Sequence, residues 1–177
     1  RRDTAQSNIV LGTVCFDARD PRRYALAILT NLLGGGMSSR LFQRIREELG
    51  LAYAVYAFHH LYQSAGTIGV YVGTQPGSAA AAETAIREEL ARLAREGLSA
   101  EELAGGQRQL KGQIMLALES PASRMHRLAG TVLHADRYRR LDEILTEVDA
   151  VTPDAVASLS AEYFDPARWC VVRLGPT

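Results

Sequence analysis

Asn31-Leu-Leu-Gly-Gly-Gly-Met-Ser-Ser-Arg-Leu-Phe-Gln-Arg-Ile-Arg-Glu-Glu-Leu-Gly-Leu-Ala-Tyr53 is the stretch that decides how this chain is read. An apolar helix runs into three glycines, a second helix restarts at Ser38–Ser39 and closes at Gly50, and a strand opens with Tyr53. Over Leu41–Leu49 the apolar residues Leu41, Phe42, Ile45 and Leu49 fall on one stripe at helical spacing. Arg46 lies at the edge of that stripe, with Arg40, Gln43, Arg44 and Glu47 further round towards solvent. Gly50 is the residue type that closes a helix in the left-handed conformation. Arg46 and Tyr53 therefore flank one helix–strand corner and can both reach a ligand lying across it.

Upstream, residues 7–17 (SNIVLGTVCFD) are apolar on both alternating faces, the pattern of a strand covered on both sides. Asp20-Pro21 then predicts a helix start, with Asp20 as cap and Pro21 in the first turn. Ala25, Leu26, Ile28, Leu29, Leu32 and Leu33 make that helix strongly apolar. Downstream, residues 52–62 and 66–74 read as an antiparallel hairpin joined by Gln63-Ser64-Ala65. An Ala-rich helix runs from Gln75-Pro76-Gly77-Ser78 to Arg95, with Glu83/Arg87 and Glu88/Arg92 at spacing four, and Gly97 stops it. Ser99-Ala-Glu-Glu102 is a capping box opening a helix to about Glu119, in which Gly105, Gly106 and Gly112 suit close packing. Ser120-Pro121 predicts a helix to about His134; Tyr138–Val148 is helical, and Thr152-Pro153-Asp154 opens a last helix ending near Phe164. Trp169–Leu174 is a final strand. About four strands and seven helical segments, undivided by linker or repeat, make one α+β domain over 1–177, an antiparallel sheet with helices on one side.

At 177 residues, 47% apolar and 23% charged, the chain is long enough for one proper core. Lys plus Arg equals Asp plus Glu, so no net charge recommends nucleic acid or an anionic membrane, and no apolar run reaches a membrane span. The cluster Arg137, Arg139, Arg140 around Tyr138 is offset by Asp136, Asp142 and Glu143 and reads as a solvated helix face. Cys15 and Cys170 fall in predicted strands without Cys-x-x-Cys spacing and read as buried free thiols. Two cysteines without a secretory leader favour a reducing, cytoplasmic setting. An opening without Met, with a strand almost at once, reads as a piece of a longer chain.

The runs GGGMSSRLFQRIREELGLAYAVY, LKGQIMLALESPASRM and VDAVTPDAVASLSAEYFDP together resemble the M16 zinc peptidases, the pitrilysin and insulinase-type family. The likeness is to the second, non-zinc half of its mitochondrial-processing-peptidase-like M16B subgroup, over nearly the whole chain. It implies the same α+β roll. It also implies a zinc cofactor held by another half, on a helix with an inverted His-x-x-Glu-His motif, and an Arg and a Tyr seven apart on the substrate backbone. Those two match Arg46 and Tyr53 here. The resemblance further implies that the glycine-rich segment Gly34, Gly35, Gly36, with Ser38, handles substrate. The partners it implies are a zinc-bearing N-terminal half, a peptide, and a second full-length chain in a dimer.

The residues themselves agree about zinc. His59 and His60 are adjacent in a strand and point to opposite faces, while His126 and His134 lack a Glu at the required spacing, so no metal site is expected in this chain. What remains is a pair of hydrogen-bond donors suited to negative charge on a scissile carbonyl oxygen. The plainer alternative packs Tyr53 as a strand aromatic, sets Arg46 on the helix C-terminal carbonyls, and makes the glycines an interhelical turn capped by Ser38 or Ser39. The glycine run follows a helix rather than a strand and lacks Gly-Lys-Ser/Thr, which argues against a nucleotide loop. Two functions stay open: the substrate-clamping half of a zinc endopeptidase, or a non-catalytic assembly subunit of the same fold, as in respiratory-complex core proteins.

Overall fold

Alternation in the first strand decides which side of the sheet is covered. The computed structural model describes residues 5–133 and 137–176. In it, β1 (Ser7–Cys15), β2 (Ala54–Leu61), β3 (Gly66–Thr74) and β4 (Cys170–Leu174) form one antiparallel sheet in the order β2-β3-β1-β4. Ile9, Leu11, Ile68, Val70 and Val72 point to one face and are fully buried under the helices. Their neighbours point the other way into the open: Val14 is 66% exposed, Tyr56 47% and Val172 67%. The strand expected to be covered on both sides is therefore covered on one within this chain. Cys15 is buried as expected, but Cys170 faces outward and is exposed, because it stands opposite Gly12 on the open face.

The described residues form six α-helices, α1 (Arg23–Gly34), α2 (Ala79–Glu96), α3 (Ala100–Ala117), α4 (Pro121–Leu133), α5 (Leu141–Asp149) and α6 (Pro153–Tyr163), of which all but α4 bury residues in the packed layer on the covered side. A seventh helical segment, Phe42–Glu48, is a π-helix, and two short 3-10 turns complete the described elements. Helix α1 lies across β2, α3 packs on α1, and α6 on α2 and α1. Leu26, Ile28 and Leu29 of α1 are fully buried, and burial of a side chain of that size contributes roughly 1.5–3 kcal/mol.

Local signals fare well. Ser99 and Glu102 form the reciprocal capping box, and Thr152 Oγ1 accepts the Ala155 N–H at 3.2 Å. Asp20 differs. Its carboxylate accepts the Arg22 N–H at 2.8 Å and pairs with the Arg22 guanidinium, so it caps a turn, and α1 begins only at Arg23. Arg92 bonds Glu89 rather than Glu88, at 2.7 Å. Gly106 alone of the three α3 glycines admits a neighbour closely: a Cβ there would meet Ile28 at 2.8 Å. The helix starting at Pro121 runs to Leu133; His134 and Asp136 lie outside the described residues. The segment from Tyr138 becomes helical at Leu141, with Arg137 and Arg140 paired to Glu143 and Asp142 as a solvated face requires.

Candidate functional site

The three glycines are not equivalent. Gly34 is the buried last residue of α1, and a Cβ on it would stand 2.2 Å from the Ala57 nitrogen, so glycine is what lets α1 touch β2. At Gly35 a Cβ would approach Asn31 Oδ1 at 2.5 Å, while around Gly36 there is nothing within 4 Å. Ser38 is exposed and Ser39 buried; the Ser39 hydroxyl donates to Gly36 O at 2.5 Å, closing the loop on itself rather than capping a helix. Gln43 Nε2 donates to Met37 O at 2.7 Å and holds the other side.

Arg40, expected towards solvent, instead anchors the loop. Its Nε and Nη2 donate to the two Glu102 carboxylate oxygens, both at 2.8 Å, and Nη2 also reaches Gly97 O. Glu102 accepts the Ser99 N–H as well. Partial burial raises its pKa, but these hydrogen bonds and the Arg40 charge outweigh it and hold the carboxyl below the usual glutamate value.

The π-turn then sets the corner. Its i→i+5 bonding spreads the residues over a wider turn than the 3.6-residue stripe assumes. Leu41 and Ile45 stay fully buried, but Leu49 swings out to 40% exposed. Leu49 N–H bonds Arg44 O at 3.1 Å and Leu51 N–H bonds Ile45 O at 2.9 Å, across Gly50 at φ +61°, a conformation glycine adopts freely. The fully buried Thr74 donates its hydroxyl to Leu51 O at 2.5 Å, and the Tyr53 N–H donates to Gly73 O at 2.9 Å. Two bonds from the end of β3 thus pin the corner from which Tyr53 projects.

Both candidate donors stand clear of this scaffold. The Tyr53 side chain begins β2's approach and the residue is 51% exposed. The Arg46 guanidinium lies 4.8 Å over the Phe42 ring instead of on the helix C-terminal carbonyls. Among the described residues, neither the Tyr53 hydroxyl nor the Arg46 guanidinium has a hydrogen-bond or ion-pair partner, whereas Arg44 next door pairs with Glu48 at 2.9 Å. Arg46 lies in the π-helical turn and Tyr53 just before β2, on either side of Gly50, with Gly36 and Ser38 at the other end of the same short segment. Sequence reasoning missed Arg40, Phe42 and Thr74. Only Phe42 carried a local signal, four residues before Arg46 on one helix face.

The two histidines of β2 do not converge on a zinc ion. His59 Nδ1 bonds Thr30 Oγ1 at 2.8 Å under the helices, and His60 points outward between Phe58 and Tyr62. Among the described residues, no three His, Cys, Asp or Glu side chains are grouped to hold a metal.

Comparison with known proteins places the fold. The sequence model described as the peptidase M16 inactive domain matches residues 1–110. The chain belongs to that family. A Bacillus subtilis protein named as the uncharacterized zinc protease YmxG is 39% identical over 164 residues, 93% of this chain and 40% of the relative. A Streptomyces coelicolor protein, also named as an uncharacterized zinc protease, is 36% identical over 161 residues, 91% of this chain and 35% of its own. The chain thus spans about 40% of the length of the Bacillus relative. Among solved structures, an M16 inactive domain from Pseudomonas fluorescens superposes with TM-score 0.88 at 22% identity, covering 99% of this chain and 42% of that one. An inactive peptidase domain from Bordetella parapertussis gives 0.83 at 20% identity, covering 100% of this chain and 96% of its own. At such identities the likeness is one of fold, and it is the α+β roll that the M16 resemblance implied.

Proposed function

We propose that this M16 inactive domain is the substrate-clamping half of a two-half zinc endopeptidase. The observation that supports it most is the pair of unpartnered donors, Arg46 and Tyr53, on a corner that Thr74 and Gly73 hold rigid. Peptide hydrolysis develops negative charge on the carbonyl oxygen, and donors already in place there stabilise the transition state without reorganising. The Tyr53 hydroxyl is the donor to that oxygen. The Arg46 fork holds a neighbouring backbone carbonyl of the peptide. Gly35, Gly36 and Ser38 form the lip that receives the chain, with Gly34 as its anchor on β2. Zinc comes from the N-terminal half, and the complete polypeptides work as dimers in the cytoplasm.

In the complete enzyme, Tyr53→Phe removes one hydroxyl and leaves packing intact. It lowers kcat by about 10²- to 10³-fold with little change in melting temperature. Arg46→Lys keeps the charge, loses the fork and raises KM as well. Steady-state kinetics beside melting curves check both; a Tyr53→Phe enzyme with parental kcat removes the catalytic assignment.

A non-catalytic assembly subunit is the second reading. A chain of complex III from Candida albicans shares the fold at TM-score 0.83 and 15% identity. That likeness carries fold alone, and an assembly role gives the two unpartnered donors nothing to do.

A further inference from the structure

The end of α3, the middle of α4 and the start of α5 enclose a pocket of about 330 Å³ lined by Leu118, Arg124, Arg127, Leu128, Tyr138 and Leu141. Its walls are leucines, and its polar groups are two guanidiniums and a phenol. Most arginines on this chain find a carboxylate, as Arg40 does in Glu102, Arg44 in Glu48 and Arg92 in Glu89. These two do not. Arg124 Nε donates to Leu118 O at 2.5 Å, and Arg127 Nη2 donates to Arg139 O, with its guanidinium 5.2 Å over the Tyr138 ring. Among the described residues, the other N–H groups of both arginines and the Tyr138 hydroxyl have no partner. The acidic residues nearest in sequence do not line the pocket. Asp142 pairs with Arg140, Glu143 pairs with Arg137, and Glu119 is exposed just past α3.

Two positive charges beside apolar walls define what fits. A guanidinium fork matches the planar oxygens of a carboxylate, and the pairing strengthens where apolar walls keep water away. A phosphate group brings about −1.5 to −2 charge and no apolar body to fill the leucine walls. Helix α4 buries none of its residues within this chain and Leu128 is 53% exposed, so the apolar half of the pocket is open to the same occupant. The volume lies at the low end of the roughly 300–1,000 Å³ of small-ligand sites, room for a terminal residue rather than a folded partner.

We propose that this pocket binds the C-terminal carboxylate of a peptide whose last residue is apolar. Arg124 and Arg127 take the carboxylate, the leucines surround the side chain, and the Tyr138 hydroxyl meets the terminal peptide group. The choice of a peptide over another apolar carboxylate rests on the endopeptidase reading. The pocket is distinct from the proposed clamp. Glu102, which holds Arg40, stands in the first turn of α3, and Leu118 caps its far end, about 24 Å away at 1.5 Å per residue.

The probe is a dye-labelled pentapeptide of glycine and serine ending in a free-acid leucine, read by fluorescence anisotropy on the 177-residue chain. The fold stands as a separate chain in the Bordetella domain, so the short form is a fair sample. The same peptide as its C-terminal amide, or ending in lysine, binds at least about tenfold more weakly. That comparison needs no variant. Arg124→Gln, Arg127→Gln and Leu128→Asp each weaken the free-acid probe by about tenfold, with little change in melting temperature because α4 buries nothing here. Arg127→Lys keeps the charge, loses the fork and recovers only part of the affinity. Octanoate has the apolar tail and carboxylate but no peptide group for Tyr138, and it competes more weakly than the unlabelled peptide. Equal affinity for acid and amide overturns the proposal. So does competition by octanoate or inorganic phosphate that matches the peptide's. Affinity lost in Arg46→Gln but kept in Arg124→Gln also overturns it, and leaves the clamp standing. Affinity that follows Arg124 in a complete protein that cuts no peptide defeats the clamp and leaves this pocket assigned.

Discussion

Arg46 shows how one neighbour decides what a side chain is free to do. Arg40 and Arg44 each grip a glutamate, so their charges are spent on the fold. Arg46 rests on the Phe42 ring, a contact worth about 0.5–1 kcal/mol at an exposed site, which steadies the guanidinium without occupying its donors. His59 is the opposite case, a half-buried polar group committed to a hydrogen bond beneath the helices. Thr30 Oγ1 also lies 2.8 Å from Leu26 O, so both bonds are satisfied when Thr30 donates to that carbonyl and His59 Nδ1–H donates to Thr30. Desolvation, then the neighbouring His60, lowers the His59 pKa below 6.5. The unfolded chain therefore takes up this proton first as pH falls. Stability from this site is complete above about pH 6.5 and declines below it as the buried ring must charge. Denaturant midpoints measured from pH 7.5 down to about pH 5 fall in the parent, and His59→Asn, which retains a donor towards Thr30, flattens that part of the slope. An unchanged slope in the variant assigns the pH dependence elsewhere.

At the scale of elements, the segment from Gly34 to Tyr53 divides into parts that the sequence makes legible and parts it does not. The glycine stop at Gly50 and the Ser99–Glu102 box are visible because each needs only a few consecutive residues. The π-turn leaves no such mark: its apolar spacing imitates an α-helix, and only the outward swing of Leu49 betrays the extra residue per turn. Thr74 and Leu51, or Arg40 and Glu102, meet through tertiary structure alone, which is why the side chains that fix the corner escaped a reading that singled out Arg46 and Tyr53 as candidates. The glycines give the test at this scale. Gly34→Ala forces a methyl into the β2 backbone and costs about 1–3 kcal/mol, separating α1 from the sheet. Gly36→Ala meets nothing and stays within about 0.5 kcal/mol. Thermal denaturation of the short chain reads both. If Gly36→Ala also cuts turnover of long peptides in the complete enzyme while stability holds, the loop handles substrate; unchanged turnover at every peptide length makes it a turn only.

For the whole molecule, the placement of the histidines separates folding from chemistry. The core is continuous from the sheet through α1 to α3 and α6, with Ile9, Leu29, Ile86 and Leu90 fully buried, so folding needs no metal to complete it. A zinc site needs its ligands deprotonated, converging and held by a second layer of hydrogen bonds. Here His59 is committed to Thr30 beneath the helices and His60 turns to the other face, so the two cannot converge on one ion. The described part of α4 offers only His126, on an exposed turn. In the proposed role, the donors at the Arg46–Tyr53 corner would polarise a carbonyl but activate no water, and hydrolysis requires both. The 177-residue chain by itself is therefore expected to melt cooperatively at the same temperature with and without a chelator, to retain less than one zinc per chain after dialysis, and to leave peptides uncut. Elemental analysis, paired melting curves and a peptide digest read the three outcomes. One tightly held zinc per chain, with a melting temperature that drops on chelation, shows a metal site formed by groups that this geometry keeps apart; activity recovered only on joining the zinc-bearing half fits the division of labour drawn from the corner.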